Sequence, residues 1–180
     1  DAIVFGYNKE HGVSVLLIKR KYDPFKDKWA IPGGFVLNDE SLEDAVFREL
    51  KEETGVEINY LEQLYTFGKP GRDPRRRIIS IAYFGLVNSA QFSKLSADTD
   101  ASEVEWFNIK ELPELAFDHD SILEIAIERI RNKIKYQPIG FELLDEKFPF
   151  SDLENLYSIL LDREIDRRNF KKKIQKLGIL

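Results

Sequence analysis

The apolar positions of this chain change period several times, and each change marks an element. Residues 2–7, opening on Ala2-Ile3-Val4-Phe5, and residues 13–20 are β-rich runs separated by Asn8-Lys9-Glu10-His11-Gly12, which predicts a hairpin. After the loop opened by Asp23-Pro24, Trp29-Ala30-Ile31-Pro32-Gly33-Gly34 leads into an expected short strand, Phe35-Val36-Leu37. The period then becomes helical. Leu42, Ala45, Val46 and Leu50 share a face, Ser41 with Asp44 reads as a variant capping box, and Gly55 stops the helix. Strands are expected at 58–67, 77–87 and 104–107, and a helix from about Ser121 to Lys135 on Ile122, Leu123, Ala126, Ile127, Ile130 and Ile134. Gln137-Pro138-Ile139-Gly140 breaks that helix, so a boundary is expected between residues 1–137 and 138–180. Beyond the boundary, a pair of short helices is predicted. Leu153, Leu156, Tyr157 and Leu160 stripe the first, capped by Ser151 and Glu154, and Phe170, Ile174 and Leu177 stripe the second. Gly178 suits the residue past its end, and Leu161 to Glu164 join the pair in a helix-turn-helix pattern.

Composition narrows the classes. The 180 residues, 43% hydrophobic and 33% charged, suit one generous domain or one domain with an appendage. No apolar run approaches the roughly 18 residues that span a bilayer. Without cysteine there is no disulfide framework or thiolate metal site, and a reducing cytoplasm is the expected compartment. There is no methionine either, so the sequence reads as a piece of a longer protein. The net charge of −5 is uneven: the last 18 residues hold seven basic and two acidic side chains, leaving −10 for the rest. An acidic body with a basic tail suggests two tasks.

Glu49, Glu52 and Glu53 lie within five residues of the first helix, the outer two at i and i+4. Such carboxylates repel unless a cation sits among them, and Mg²⁺ takes one or two carboxylates, water and substrate phosphates. A solvated acidic face is the alternative for a bare E-x-x-E-E. The surrounding frame decides between them: Gly34, Glu40, Arg48-Glu49-Leu50, Glu52-Glu53, Gly55 and Val56 fill every defined position of G-x5-E-x7-R-E-U-x-E-E-x-G-U, where U is bulky and aliphatic. Over roughly residues 2 to 135 the chain resembles the Nudix hydrolases. The resemblance implies an α/β fold, an α/β/α sandwich with a mixed sheet, that binds Mg²⁺ or Mn²⁺ and cleaves a P–O–P link. By position it implies Glu49 and Glu53 as metal ligands with Glu52 assisting, Glu40 and Arg48 as a brace, and Gly34 and Gly55 as backbone necessities; Glu52 and Glu53 also stand as catalytic candidates. Family members often place the catalytic base on a loop before a late strand. Here that leaves Asp98, Asp100 and Glu103, of which Glu103 is preferred.

The turn-rich stretch Gly71-Arg72-Asp73-Pro74-Arg75-Arg76-Arg77 offers guanidinium forks for phosphate, or a solvated basic turn. It resembles the corresponding loop of ADP-ribose-binding Nudix proteins, which nominates Gly34, Arg72, Arg75 and Arg77 as ligand-binding residues. Phe35, Tyr65 and Trp29 are either adenine stackers or core residues. His119 reads as a helix-start residue and His11 as a turn residue.

In the tail, Arg167, Arg168, Lys171, Lys172 and Lys176 lie away from the Phe170-Ile174-Leu177 stripe, the shape of a recognition helix or of a solvated amphipathic appendage. Phe148-Pro149-Phe150-Ser151-Asp152-Leu153, Leu156-Tyr157 and Asp166-Arg167-Arg168-Asn169-Phe170-Lys171-Lys172-Lys173-Ile174 resemble the winged-helix tail of NrtR-like Nudix regulators. That resemblance implies a homodimer on double-stranded DNA, a nucleotide-type or sugar effector, and a wing beyond Leu180. Many such regulators carry a decayed box, whereas this box is complete. Hydrolase and sensor readings therefore both stand.

Overall fold

The computed structural model describes residues 1–88, 95 and 101–176. Its sheet is built from β1 (Ala2–Asn8), β2 (Gly12–Arg20), β3 (Trp29–Ala30), β4 (Tyr60–Phe67), β5 (Ser80–Val87) and β6 (Ala101–Asn108). The near-continuous apolar runs of β1 and β2 are what central strands, buried on both faces, require. β1 and β2 form the expected antiparallel hairpin, β1 runs parallel to β5, and β4 closes the far edge antiparallel to β5. β2 carries three partners. Val15 pairs with both Phe5 and Phe107, and Ile18 with both Ala30 and Val104, so β1 and β3 share one edge of β2 while β6 takes the other.

Alternation along β1 distributes the core. Ile3, Phe5 and Tyr7 face one side with Phe84 and Leu86, against Ile122, Leu123, Ala126 and Ile130 of α2 (His119–Lys133). Ala2 and Val4 face the other side, against Val46 and Leu50 of α1 (Leu42–Thr54). The result is the expected α/β/α sandwich. A 3₁₀ turn at Ile139–Leu143 leads to α3 (Phe150–Leu161) and α4 (Arg167–Lys176). Leu153, Leu156, Tyr157, Leu160, Phe170 and Ile174 join the same apolar cluster as α2, so the tail shares the body's core. Lys9 to Asp152 and Lys110 to Asp162, both at 3.1 Å, add ion pairs across that junction.

Several local expectations shift. The strand expected at 35–37 does not form; its backbone serves the site instead, Phe35 O accepting from Arg48 Nη2 and Leu37 N–H donating to Glu40. The capping box at Ser41 and Asp44 is present in both directions. The one expected at Ser151 and Glu154 is not: α3 starts two residues earlier, after the extended Pro149, and Glu154 pairs with Arg167 at 3.3 Å. α2 starts two residues before Ser121 and ends two before Lys135. The link between α3 and α4 is Asp162 to Asp166, with Asp162 in the left-handed region at φ 49°. Asp98, Asp100, Leu177 and Gly178 lie outside the described residues.

Candidate active site and candidate nucleic-acid interface

A cavity of about 720 Å³ opens where α1, the glycine turn at 33–34, the basic loop and the start of α2 meet. Glu49 and Glu53 stand in its wall, and Arg72, Arg75 and Arg77 stand there too. Carboxylates of the first helix and arginines of a later loop are thus gathered into one concavity of the size that holds small ligands.

Local sterics and pairing account for the spacing of the box. At Gly34 a Cβ would lie 2.1 Å from Glu49 Oε1, so a side chain there would collide with the carboxylate. Gly55 takes φ 71° and returns its N–H to Lys51 O at 3.1 Å, ending α1 in a left-handed turn that favours glycine. Arg48 grips Glu40 with a fork, Nε to Oε2 at 2.9 Å and Nη2 to Oε1 at 2.6 Å. Those bonds, with the Leu37 N–H, hold the Glu40 carboxyl down at about 2. The same guanidinium reaches Glu49 Oε1 at 2.7 Å and the Phe35 carbonyl at 3.2 Å, so the brace also aims a wall carboxylate. Glu53 is buried, and its Oε2 accepts from the Gly33 N–H at 2.8 Å. Glu52 is outside the wall, half exposed, 3.4 Å from Arg48.

Arg72 is almost wholly buried and donates to both oxygens of Asp118, at 2.9 and 2.7 Å. Arg75 forks onto buried Asp73, and Arg77 Nη1 donates to Lys69 O at 3.4 Å. Arg72 and Arg75 are therefore each oriented by a carboxylate, while Arg77 has one long bond to a carbonyl. His119 opens α2 as expected, and it also lines the cavity. Its Nδ1 accepts from the Ile31 N–H at 2.9 Å, and burial pushes its pKa down to about 3, leaving a neutral ring. Buried Tyr83, also in the wall, donates to Glu43 at 2.7 Å and is pushed up to about 12 by burial and then by that bond. Nothing local in the sequence flags this pair, because 40 residues separate its members.

Glu103 is not brought to the cavity. It lies within β6 rather than on a loop, opposite Lys19, and pairs with Lys19 Nζ at 3.0 Å on the exposed surface. Among the described residues no three His, Cys, Asp or Glu side chains converge as a ready metal nest. The donor set nonetheless suits a hard cation: two wall carboxylates, Glu49 and Glu53, are what Mg²⁺ or Mn²⁺ takes from protein when phosphate and water complete its shell. Of the expected stackers, Trp29 is half buried against Phe107, Tyr65 is exposed outside the wall, and Phe35 is exposed within it.

In α4, Phe170 and Ile174 are buried while Arg167, Arg168, Lys171, Lys172, Lys173 and Lys176 are exposed. Arg167 leans on Glu154, and Lys173 donates to Lys135 O at 3.2 Å. Arg168, Lys171, Lys172 and Lys176 have no carboxylate in ion-pair reach among the described residues.

The NUDIX domain family matches residues 1–125. The chain belongs to the Nudix family. The NrtR DNA-binding winged helix domain matches residues 140–180. The Nudix chain is 33% identical over 184 residues to the "ADPR responsive transcriptional repressor NtrR" of Acinetobacter baylyi, covering all of this chain and 72% of that protein. It is 46% identical over 124 residues to the "ADP-ribose pyrophosphatase" of Methanocaldococcus jannaschii, covering 69% of each. Among solved structures it superposes on Shewanella oneidensis NrtR complexed with a 27mer DNA, with a TM-score of 0.84, 33% identity, and coverage of 98% of this chain and 81% of that one. This Nudix domain thus carries an NrtR-type DNA-binding domain, and its box sits in a formed cavity. No helix among the described residues is long and apolar enough to cross a membrane.

Proposed function

We propose that this chain hydrolyses ADP-ribose or a related nucleoside diphosphate derivative with Mg²⁺ or Mn²⁺, and that the same ligand tunes a DNA-binding tail. The observation that carries the reading is the single cavity wall that combines Glu49 and Glu53 with Arg72, Arg75 and Arg77. Carboxylates alone would suit a cation and arginines alone an anion; together they suit a diphosphate. A bound cation supplies positive charge to the diphosphate oxygens. The N–H groups that Arg72 and Arg75 do not spend on Asp118 and Asp73, with the guanidinium of Arg77, orient the phosphates, the Gly33–Gly34 turn admits them close to the backbone, and Glu53 takes the proton of the attacking water. One P–O bond of the diphosphate link breaks, releasing AMP and ribose 5-phosphate. Glu52 acts through Arg48, at the edge of the site. Glu103 could act as base only by leaving Lys19, so Glu53 is the preferred base.

The tail binds double-stranded DNA through Arg168, Lys171, Lys172 and Lys176, with Arg167 shared with Glu154. Its domain begins at Pro138, the working form is a homodimer, and the compartment is the cytoplasm. The names of the relatives support both halves, one being a repressor and the other a pyrophosphatase. A second reading, a sensor without turnover, is favoured by the absence of Glu103 from the wall.

The test is incubation with ADP-ribose and Mg²⁺, with Glu53→Gln as control. AMP that needs both the metal and Glu53 supports the hydrolase. Absence of AMP, with thermal stabilisation by ADP-ribose and altered DNA retention, supports the sensor.

A further inference from the structure

Phe35 breaks the ordinary rule of burial. Its ring is large and apolar, yet the residue is 53% exposed and sits in the cavity wall. It is also held there. Arg48 donates to its carbonyl at 3.2 Å while gripping Glu40, and Glu40 accepts from the Leu37 N–H at 2.8 Å. The backbone of 35–37 is therefore tied at both ends by the brace of the box, although it belongs to no strand. On the ring itself, the Arg76 guanidinium stands 5.0 Å from the centroid. Phe35 belongs to the cavity wall and Arg76 does not.

The other aromatic residues of the region are differently employed. The Phe117 ring, also in the wall, has Phe25 at 4.7 Å, Arg20 at 4.9 Å and Arg75 at 5.5 Å. Tyr22 is exposed in the wall but sits on a loop whose carbonyl meets Arg20 only at 3.4 Å. An apolar plane, backed by a cation and aimed into a diphosphate cavity by the box's own brace, suits a flat heteroaromatic ring. We infer that Phe35 is the stacking platform for the nucleobase of the ligand, with Arg48 and Arg76 as its positioning residues. The inference rests on the nucleotide reading of the site. Stacking accepts any base, because each presents a π face. The platform therefore separates nucleoside diphosphates from diphosphates without a base and discriminates little among bases.

Calorimetry on the full chain in Mg²⁺ tests this, using the methylene-bridged analogue of ADP-ribose, whose P–C–P link resists hydrolysis, and methylene diphosphonate as the base-free probe. Phe35→Ala and Phe35→Leu should weaken the nucleotide analogue by roughly 5- to 100-fold, leave the base-free probe unchanged, and keep the melting temperature near that of the native chain. Phe35→Trp should bind the analogue as the native chain does, with indole emission quenched on binding. Equal loss for both probes, or no loss for either, overturns the platform. So does a loss of base preference in Tyr22→Ala but not in Phe35→Leu. If the native chain binds the base-free probe and not the analogue, the nucleotide reading falls together with the platform; if it binds the analogue and Phe35 is indifferent, only the platform falls.

Discussion

The box and α4 are both densely charged, yet they use charge in opposite ways. In the box, Arg48 is engaged by Glu40, Glu49 and a carbonyl, and Glu53 by a backbone N–H. Charges locked to one another keep a fixed geometry, which recognition of a small, rigid diphosphate demands. In α4 the cations at 168, 171, 172 and 176 stand in solvent over a buried Phe170 and Ile174. Solvent-exposed cations on a buried apolar back suit a polyanion that is read mainly by its phosphates. Paired charge builds a site, and unpaired charge builds a surface.

The largest test of that contrast removes one member of the paired set. Glu53→Gln keeps the size of the side chain and the bond to Gly33, and should lower AMP formation by about 10²- to 10⁴-fold, measured against an unchanged melting temperature. An activity within tenfold of native would remove Glu53 from the chemistry. Next in size is Gly34→Ala. Its new methyl would meet Glu49 at about 2 Å, so the carboxylate or the turn must move. Stability should fall by about 1–3 kcal/mol, as in overpacked sites, and ligand-induced thermal stabilisation should disappear. Retained stabilisation would mean that the close approach is incidental.

On the surface side, Lys171→Ala with Lys172→Ala should leave folding and ADP-ribose turnover intact. The slope of log affinity for duplex DNA against log salt should fall by about 2. An unchanged slope would show that α4 is a solvated appendage, and the contrast would lose its other half. The smallest effect concerns His119. Its pKa is held near 3 by burial, against 6.5 for an open histidine, so between those values the unfolded chain binds a proton that the fold refuses. The stability it contributes is whole above pH 6.5 and drains as pH falls towards 3. His119→Asn, whose Oδ1 can replace Nδ1 as acceptor for Ile31, should flatten the urea midpoint between pH 6.5 and 4.5, a window above that of the carboxylates.

What could be read from the sequence was local. The helix of the box follows from Leu42, Ala45, Val46 and Leu50 at helical spacing, its ends from Ser41 and Gly55, and the convergence of Glu49 with Glu53 from i, i+4 geometry. The buried stripe of α4 followed in the same way from Phe170 and Ile174. These relations span a turn or two of helix, where backbone geometry leaves little choice.

Tertiary structure decided everything that required distant partners. Phe35 was expected in a strand and became an exposed wall residue, because Arg48, 13 residues on, takes its carbonyl. Glu103 was expected on a loop at the site and was drawn into β6 opposite Lys19, 84 residues away. Arg72 could be nominated for phosphate from its loop, but its orientation comes from Asp118, 46 residues on. The sequence by itself determined the period of each element and the helical spacing of the box. Which side chains face the cavity was settled by packing, because the burial that closes a sandwich acts on residues far apart in the chain and leaves no local pattern.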